Sequence, residues 1–375
     1  MKITFLLGFY PNQRMNKRMR LLIKDHEVSL IYWKKSENDG AYGTDIAVAD
    51  YKCIDIQFKE GSLKERLFAL QRFKKEAEKE LNKIQPDCIY VQNLDLLLFA
   101  EKYKRKNGNA LKLVYEISDI NDILIQPQEK ALKKAAQVYL QNAEKTACKN
   151  VDLLCYTSPA FFEERYGALV PKEKSMYLPN IPNMTYFDGY IPHPWEDFTI
   201  GYIGTVRYEK QLRLMLDAAK EAGIASMIAG GLASGGSRGS QVNLRGLQED
   251  YSDTEFIGAF DYPSQIANIY GRINVSFAVY DTNLRNVKVA LPNKLYEAIR
   301  CRIPLIVAPG TYLAEIVERL GIGLASNNLQ EITHFLIHLR EDKQYYKQFQ
   351  DACEKHQDEI DADMINSTFC SWFKE

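Results

Sequence analysis

Short apolar runs rich in β-branched and aromatic residues alternate with longer amphipathic stretches along almost the whole chain. No other feature constrains the fold as strongly. Lys2–Leu7 (KITFLL), Glu27–Trp33 (EVSLIYW), Cys88–Val91 (CIYV), Leu111–Tyr115 (LKLVY) and Asp152–Thr157 (DLLCYT) have strand composition. Between them, Asn16–Lys24 and Gln128–Lys149 read as helices. Ser62–Ile84 places Leu63, Leu67, Leu70, Phe73, Ala77 and Leu81 at three- and four-residue spacing, and Ser62 with Glu65 predicts a capping box at its start. Strands connected through helices lie parallel in one sheet, so the chain is α/β.

The pattern breaks near residue 180. Four of the 13 prolines fall at 179, 182, 192 and 194, which is loop chemistry. A second series then begins: a strand at Phe198–Gly204, a helix over 209–222, a strand at Ala225–Ala229, a Gly/Ser-rich loop at Gly230–Ser240, and strands near Glu255–Ile257, Val275–Ala278 and Leu305–Val307. The expected organisation is a Rossmann-like domain over 1–180, a Pro-rich linker over 181–197, a second Rossmann-like domain over 198–345, and a helical tail over 346–375 that packs back toward the first domain. Two such domains are expected to face each other across a cleft at the carboxyl ends of their strands, where open α/β sheets bind ligands.

Composition narrows the class. No stretch of about eighteen uncharged apolar residues exists, which excludes a membrane-spanning helix. The apolar run near Met1 is short and leads into Pro11-Asn12-Gln13-Arg14, so it reads as a first buried strand rather than a signal peptide. Seven scattered cysteines without a Cys-x-x-Cys pair argue against a disulfide framework and a structural zinc, and point to the reducing cytoplasm. His334 and His338 share a helix face but lack a third metal ligand nearby. Lys+Arg number 48 and Asp+Glu 49, a balance that disfavours nucleic acid as a partner. Residues 1–190 nevertheless carry 30 basic and 25 acidic side chains, against 18 and 24 in the rest. This asymmetry raises an anionic partner for the first half.

Two segments carry chemistry. In Ala290-Leu291-Pro292-Asn293-Lys294-Leu295-Tyr296-Glu297, Pro292 suits a first helical turn, which places Asn293 and Lys294 at the positive end of a helix. Free backbone N–H groups and an ammonium there suit a diphosphate, with Glu297 one turn on as an acceptor for ribose hydroxyls. In Gly201-Tyr202-Ile203-Gly204-Thr205-Val206-Arg207-Tyr208-Glu209-Lys210, a strand ends on Gly204, and Arg207 and Lys210 follow at the mouth of the next helix. The glycine allows close backbone approach and the two cations suit a pyrophosphate.

These residues resemble the donor half of GT-B glycosyltransferases, more narrowly the bacterial polysaccharide enzymes of the family-four type. The resemblance rests on the Gly-x-x-Arg-x-x-Lys start at Gly204, Phe256-Ile257-Gly258 leading to Tyr262-Pro263, the Pro292–Glu297 helix start, Arg302–Val307, Gly321-Ile322-Gly323 and the preceding Leu178-Pro179-Asn180. It is specific over about residues 150–325 and covers residues 1–150 only in pattern. It implies a GT-B fold and transfer of a sugar from a nucleoside diphosphate sugar, UDP-linked, to a saccharide or lipid-linked saccharide acceptor in cell-surface polysaccharide biosynthesis, with no metal and no cofactor. Arg207 and Lys210 are implied on the donor diphosphate and Glu297 on the ribose. The family commonly carries a second glutamate eight positions earlier, where this chain has Val289.

In the first half, the resemblance places the loop Gly8-Phe9-Tyr10-Pro11-Asn12 under the donor sugar and acceptor, and Ser118 and Asp119 at a neighbouring strand end. Asp119 is the candidate general base if the reaction inverts configuration. Arg238, in the Gly/Ser-rich loop, is a further candidate for the nucleotide. A nucleotide-sugar epimerase of the same fold and a non-catalytic nucleotide-sugar-binding partner of a synthase complex remain alternatives. The basic first half fits a peripheral contact with an anionic membrane through Arg14, Lys17, Arg18, Arg20 and Lys102–Lys106.

Overall fold

In the computed structural model, residues 1–35, 46–59, 61–108, 110–232 and 242–374 are described. The chain forms two units, Met1–Pro179 with Asp363–Glu375, and Asn180–Ala362.

The first unit is one parallel sheet of seven strands: β1 (Lys2–Leu7), β2 (Glu27–Lys34), β3 (Asp50–Asp55), β4 (Cys88–Val91), β5 (Lys112–Ile117), β6 (Leu153–Tyr156) and β7 (Ser175–Tyr177). Their order is β3-β2-β1-β4-β5-β6-β7. Central strands are buried on both faces, which is why β1, β2 and β4 read as continuous apolar runs. The edge strand β3 is mostly exposed and polar, and β7 has three residues, so neither carries an apolar signal. Helix Gln13–Leu22 follows β1, its first turn capped by Asn12, whose side chain accepts from the Met15 N–H at 3.0 Å. Helix Leu63–Ile84 starts on Ser62, but the Glu65 carboxylate accepts from the Lys59 N–H at 2.9 Å. The cap is therefore one-sided, not the reciprocal box that the spacing predicts.

The second unit is a six-stranded parallel sheet: β8 (Thr199–Ile203), β9 (Ala225–Ala229), β10 (Glu255–Gly258), β11 (Val275–Ala278), β12 (Leu305–Val307) and β13 (Gly323–Ala325), in the order β10-β9-β8-β11-β12-β13. Ile203, Leu305 and Val307 pack on one face, and Ile200, Tyr202 and Ile306 on the other. In both units the order reverses beside the first strand, between β1 and β4 and between β8 and β11. That is the doubly wound topology, whose ligand crevice lies at the reversal.

The unit boundaries differ from the expected ones in two places. Residues 181–197 belong to the second unit: Ile181 and Phe187 are buried in its core, and His193 sits 3.2 Å from the Gly271 carbonyl. Prolines there shape a packed strap, because apolar residues between them bury against the sheet. The tail also divides. Tyr346 and Cys353 are buried in the second unit, whereas helix Asp363–Trp372 returns to the first, where Phe369 and Phe373 join Ile3, Phe5 and Tyr90. Burying each of these rings contributes about 1.5–3 kcal/mol. Among the described residues no helix is long and apolar enough to cross a membrane.

Candidate functional site

At the carboxyl end of β8 the chain turns at Gly204, with φ 137°, a backbone conformation that L side chains avoid. The Gly204 N–H donates to the Ala229 carbonyl at 2.8 Å, and the Gly230 N–H to the Gly258 carbonyl at 2.7 Å. Gly230 has φ 151°, and a Cβ there would lie 1.7 Å from the Gly204 carbonyl oxygen. Two bare backbones thus pass each other where β8 and β9 end. Tyr208 then opens helix Glu209–Ala222 in a left-handed conformation, φ 64°. Across the switch point stands Tyr280, just beyond β11, its ring centroid 5.8 Å from that of Tyr208.

These turns enclose a cavity of about 220 Å³ lined by Gly204, Thr205, Arg207, Tyr208, Tyr280, Pro292 and Lys294 among others. Helix Asn293–Cys301 supplies its second wall. Pro292 is the cap residue, not the first helical residue that the sequence suggests, with extended backbone at φ −77°, ψ 158°. The helix still begins at the cavity. The lysine stem passes over the glycine turn: Lys294 Cε lies 3.7 Å from where a Gly204 Cβ would stand. That distance is an ordinary contact, so it is φ and not packing that selects glycine at 204.

Behind Lys294 the structure places a buried carboxylate. Glu297 is 0% exposed. Its Oε1 accepts from the Tyr262 hydroxyl at 2.5 Å, and its Oε2 from the Tyr270 hydroxyl at 2.6 Å and from the Lys294 ammonium. Burial, and then the Glu297 charge beside them, push both tyrosine hydroxyls far above their ordinary range, so they act as donors. Sequence reading names Tyr262 only as part of the resemblance, with no partner, and passes over Tyr270.

The proposed donor residues are therefore brought together only in part. Gly204, Arg207, Pro292 and Lys294 share the cavity. Asn293 is half-buried and its side-chain oxygen accepts from Asn180 at 2.8 Å. Lys210 is exposed on the first turn of its helix and does not line the cavity. Glu297 lies behind the wall, not on it. Val289, at the family's glutamate position, is 1% exposed. Arg238 lies outside the described residues.

In the first unit, Gly8 follows β1, and a Cβ there would meet Leu96 and Asn93 at ordinary contact distances of 3.6 and 3.7 Å. The position does not demand glycine. Asn12 is engaged as a helix cap, as described above. Ser118 Oγ accepts from Gln92 Nε2 at 2.6 Å, and Asp119 is exposed just beyond β5. Sequence reading ends the strand at Tyr115 and leaves Glu116 beyond it; in the structure β5 runs on to Ile117 and Glu116 is fully buried, with the Tyr90 hydroxyl donating to it. Arg14 Nε and Arg18 Nε lie 3.0 and 3.4 Å from its oxygens. A lone acid in KLVYEI was the available signal.

Two of the basic residues expected on a membrane face are buried instead. Arg18 is 1% exposed and donates to the Leu178 carbonyl at 2.9 Å. Lys104 is buried against Asp152 and the Asn150 carbonyl, Arg105 pairs with Glu101, and Lys106 pairs with Glu78. Arg18 and Lys104 are thus engaged inside the unit, whereas Arg105 and Lys106 pair at the surface, 63% and 67% exposed. Among the described residues no group of three or more His, Cys, Asp or Glu side chains is arranged to hold a metal, and His338 stacks on Tyr345 at 3.7 Å.

No family model matches the chain. Among solved structures, sucrose-phosphate synthase from Thermosynechococcus elongatus superposes with a TM-score of 0.72 at 14% identity, over 100% of this chain and 98% of that one. HepE of Anabaena, solved in complex with UDP and glucose, gives 0.68 at 16% identity over the full length of both. The chain has the GT-B fold. In sequence, the succinoglycan biosynthesis protein ExoL of Rhizobium meliloti (strain 1021) is 27% identical over 278 residues, 71% of this chain and 66% of ExoL. The chain thus matches slightly less than two thirds of that relative's length.

Proposed function

We propose that the protein is a glycosyltransferase that moves a sugar from a nucleoside diphosphate sugar, UDP-linked, to a saccharide or lipid-linked saccharide acceptor in cell-surface polysaccharide assembly. The observation that carries this reading is the cavity at the switch point of the second unit, where a glycine turn, the start of helix Asn293–Cys301, Arg207 and Lys294 converge. Breaking a sugar–diphosphate bond leaves negative charge on the departing phosphate. Preorganised cations and helix N–H groups stabilise that charge as it develops. Arg207 and Lys294 are assigned to this work, with Lys210 as a steering charge, and no metal is called on. The UDP in HepE and the succinoglycan role in ExoL's name support the donor and acceptor classes. Asp119 is the carboxylate assigned to the acceptor hydroxyl proton.

A lipid-linked acceptor would be met at the inner face of the cell membrane. With Arg18 and Lys104 buried, the better contact surface is helix Ala131–Cys148, where Leu132 and Tyr139 are 87% and 72% exposed beside Lys130, Lys133 and Lys134. Apolar side chains flanked by lysines suit an anionic interface. Binding of the wild type to anionic vesicles, weakened by Leu132→Ser with Tyr139→Ser, is the expected result.

A thermal-shift panel of UDP-, GDP- and ADP-sugars tests the donor assignment, since a bound donor raises apparent stability by mass action. UDP-sugars are expected to shift the melting temperature most. No shift with any of them contradicts the reading. Incubation with the stabilising donor alone separates transfer from epimerisation, because only an epimerase converts the donor without an acceptor.

A further inference from the structure

We infer that the second unit carries a further binding site, for a saccharide that bears carboxylate groups, at the amino ends of β8 and β11. A cavity of about 340 Å³ opens there, lined among others by Tyr190, Trp195, Asn274, Lys343, Lys347 and Gln350. Sites for small ligands begin at about 300 Å³. Asn274 fixes its place in the fold: its side-chain oxygen accepts from the Thr199 N–H, at the start of β8, at 2.8 Å, and β11 begins one residue later. The donor cavity lies at the other end of β8. The length of that strand, five residues at about 3.3 Å each, lies between the two. The site stands apart from Arg207 and Lys294, so the inference does not depend on the donor assignment.

One wall is the strap before β8 and the other is a helix face. Lys343, Tyr346, Lys347 and Gln350 follow at three- and four-residue spacing in helix Lys343–Lys355, so all four share that face. The Tyr346 hydroxyl donates to the Asn274 carbonyl at 2.9 Å and ties the helix to the sheet. Trp195 stands steeply inclined to Phe198 and Tyr346, with ring centroids 5.3 and 5.0 Å away, which fixes its plane before any ligand arrives. The exposed Lys343 ammonium lies 5.5 Å from the centroid of the Trp195 ring and sets a positive charge beside an aromatic platform. Lys347 pairs with Asp351 at 2.6 Å, but both are more than half exposed, and a surface pair of this kind is weak. An incoming carboxylate can take that lysine over. The Tyr190 hydroxyl and the Gln350 amide have no side-chain partner among the described residues.

A pyranose ring has apolar C–H faces and a rim of hydroxyls, and a uronate adds a carboxylate to that rim. The faces suit Trp195, the hydroxyls suit Tyr190 and Gln350, and the carboxylate suits the two lysines. A nucleotide fits less well. No glycine turn lines the cavity, and the first turn of the helix is already capped by Asp342, whose carboxylate accepts from the Gln344 and Tyr345 N–H groups at 2.8 and 3.0 Å. A saccharide held at the amino ends of the strands is retained rather than converted, and retention raises the concentration of the polymer around the enzyme.

Saturation-transfer NMR with tetragalacturonate as the probe, and cellotetraose as its neutral counterpart, tests this. The wild type is expected to bind tetragalacturonate about tenfold or more tightly than cellotetraose, the scale of a charge-assisted contact, and saturating UDP is expected to leave that binding in place. Lys343→Met with Lys347→Met should erase the preference for the charged sugar. Trp195→Leu should weaken both sugars by about tenfold, the scale of a lost ring contact. UDP affinity, followed by calorimetry, should be the same in all three proteins. No binding of tetragalacturonate, equal binding of the two sugars by the wild type, displacement by UDP, or binding that survives both variants overturns the inference. Should Trp195→Leu not fold, Gln350→Ala replaces it, with the same loss expected at smaller amplitude. Failure of the wild type to bind UDP counts against the donor reading alone and leaves this inference standing.

Discussion

Glu116 in the first unit and Glu297 in the second are both 0% exposed: Glu116 receives the Tyr90 hydroxyl and lies beside Arg14 and Arg18, and Glu297 receives two tyrosine hydroxyls and Lys294. They differ in where the cation goes next. Arg18, beside Glu116, is itself 1% exposed and turns to the carbonyls of Leu178 and Pro179, the last residues of that stretch of the unit, and to the ring of Phe369 on the returning helix. Lys294, beside Glu297, borders an open cavity with Arg207 and the turn at Gly204. The same chemical motif ties the chain together in one unit and presents a charge to a ligand in the other. Buried carboxylate, tyrosine and cation are not evidence of a binding site until a cavity is found on the cation's far side.

This contrast can be broken experimentally, most severely in the first unit. Arg18→Ala leaves Glu116 short of its buried guanidinium and frees two carbonyls, and removing one member of a buried pair costs about 3–5 kcal/mol. Denaturant unfolding should show that loss, while UDP affinity of the folded fraction stays unchanged. Loss of UDP binding at unchanged stability would reverse the roles assigned to the two clusters.

A smaller effect is expected in the second unit. Gly230→Ala places a Cβ on the Gly204 carbonyl oxygen and forces the turn under Lys294 to move. Strain at such a backbone position costs about 1–3 kcal/mol. UDP affinity should fall with it. Gly8→Ala, where the nearest atoms are 3.6 Å away, should leave stability and UDP binding within experimental error, and the pair of measurements separates the two strand-end glycines.

The smallest expected effect concerns Lys17 in the first unit. Burial, then the neighbouring Arg18 charge, lower its pKa to about 8, opposed by Asp363. A lysine whose folded pKa lies below its unfolded value binds fewer protons in the native state between those two values. Stability therefore rises with pH across about 8 to 10.5 and is penalised below it. Lys17→Met should stabilise the first unit by about 1 kcal/mol at pH 7, a figure discounted for partial solvent contact. The rise above pH 8 should disappear with it. A destabilised variant would show that the Asp363 attraction outweighs burial.

Much of the scaffold was legible because parallel strands buried on both faces, such as Phe5-Leu6-Leu7 in β1 and Leu305-Ile306-Val307 in β12, leave apolar runs bounded by helical patterns. The break near residue 180 also coincides with the unit boundary at Pro179. The return of the tail to the first unit was expected, but not that it begins only at Asp363, since aromatic residues such as Tyr346 and Phe369 announce burial without saying which sheet they cover. At the site, Gly204, Pro292 and Lys294 could be found from turn and helix-start chemistry. The inward orientation of Glu297 could not, because an acid three residues after a lysine looks the same on a solvated helix face. Only Tyr262 and Tyr270, contributed by another helix, decide it.

The most direct test of the central claim is calorimetric titration of UDP into the wild type and into the Arg207→Ala, Lys294→Met double variant. The cavity reading predicts saturable binding by the wild type and a loss of about 100-fold or more in the variant, about 2–3 kcal/mol, with the fold retained by circular dichroism. Unchanged UDP affinity in a folded variant would contradict it.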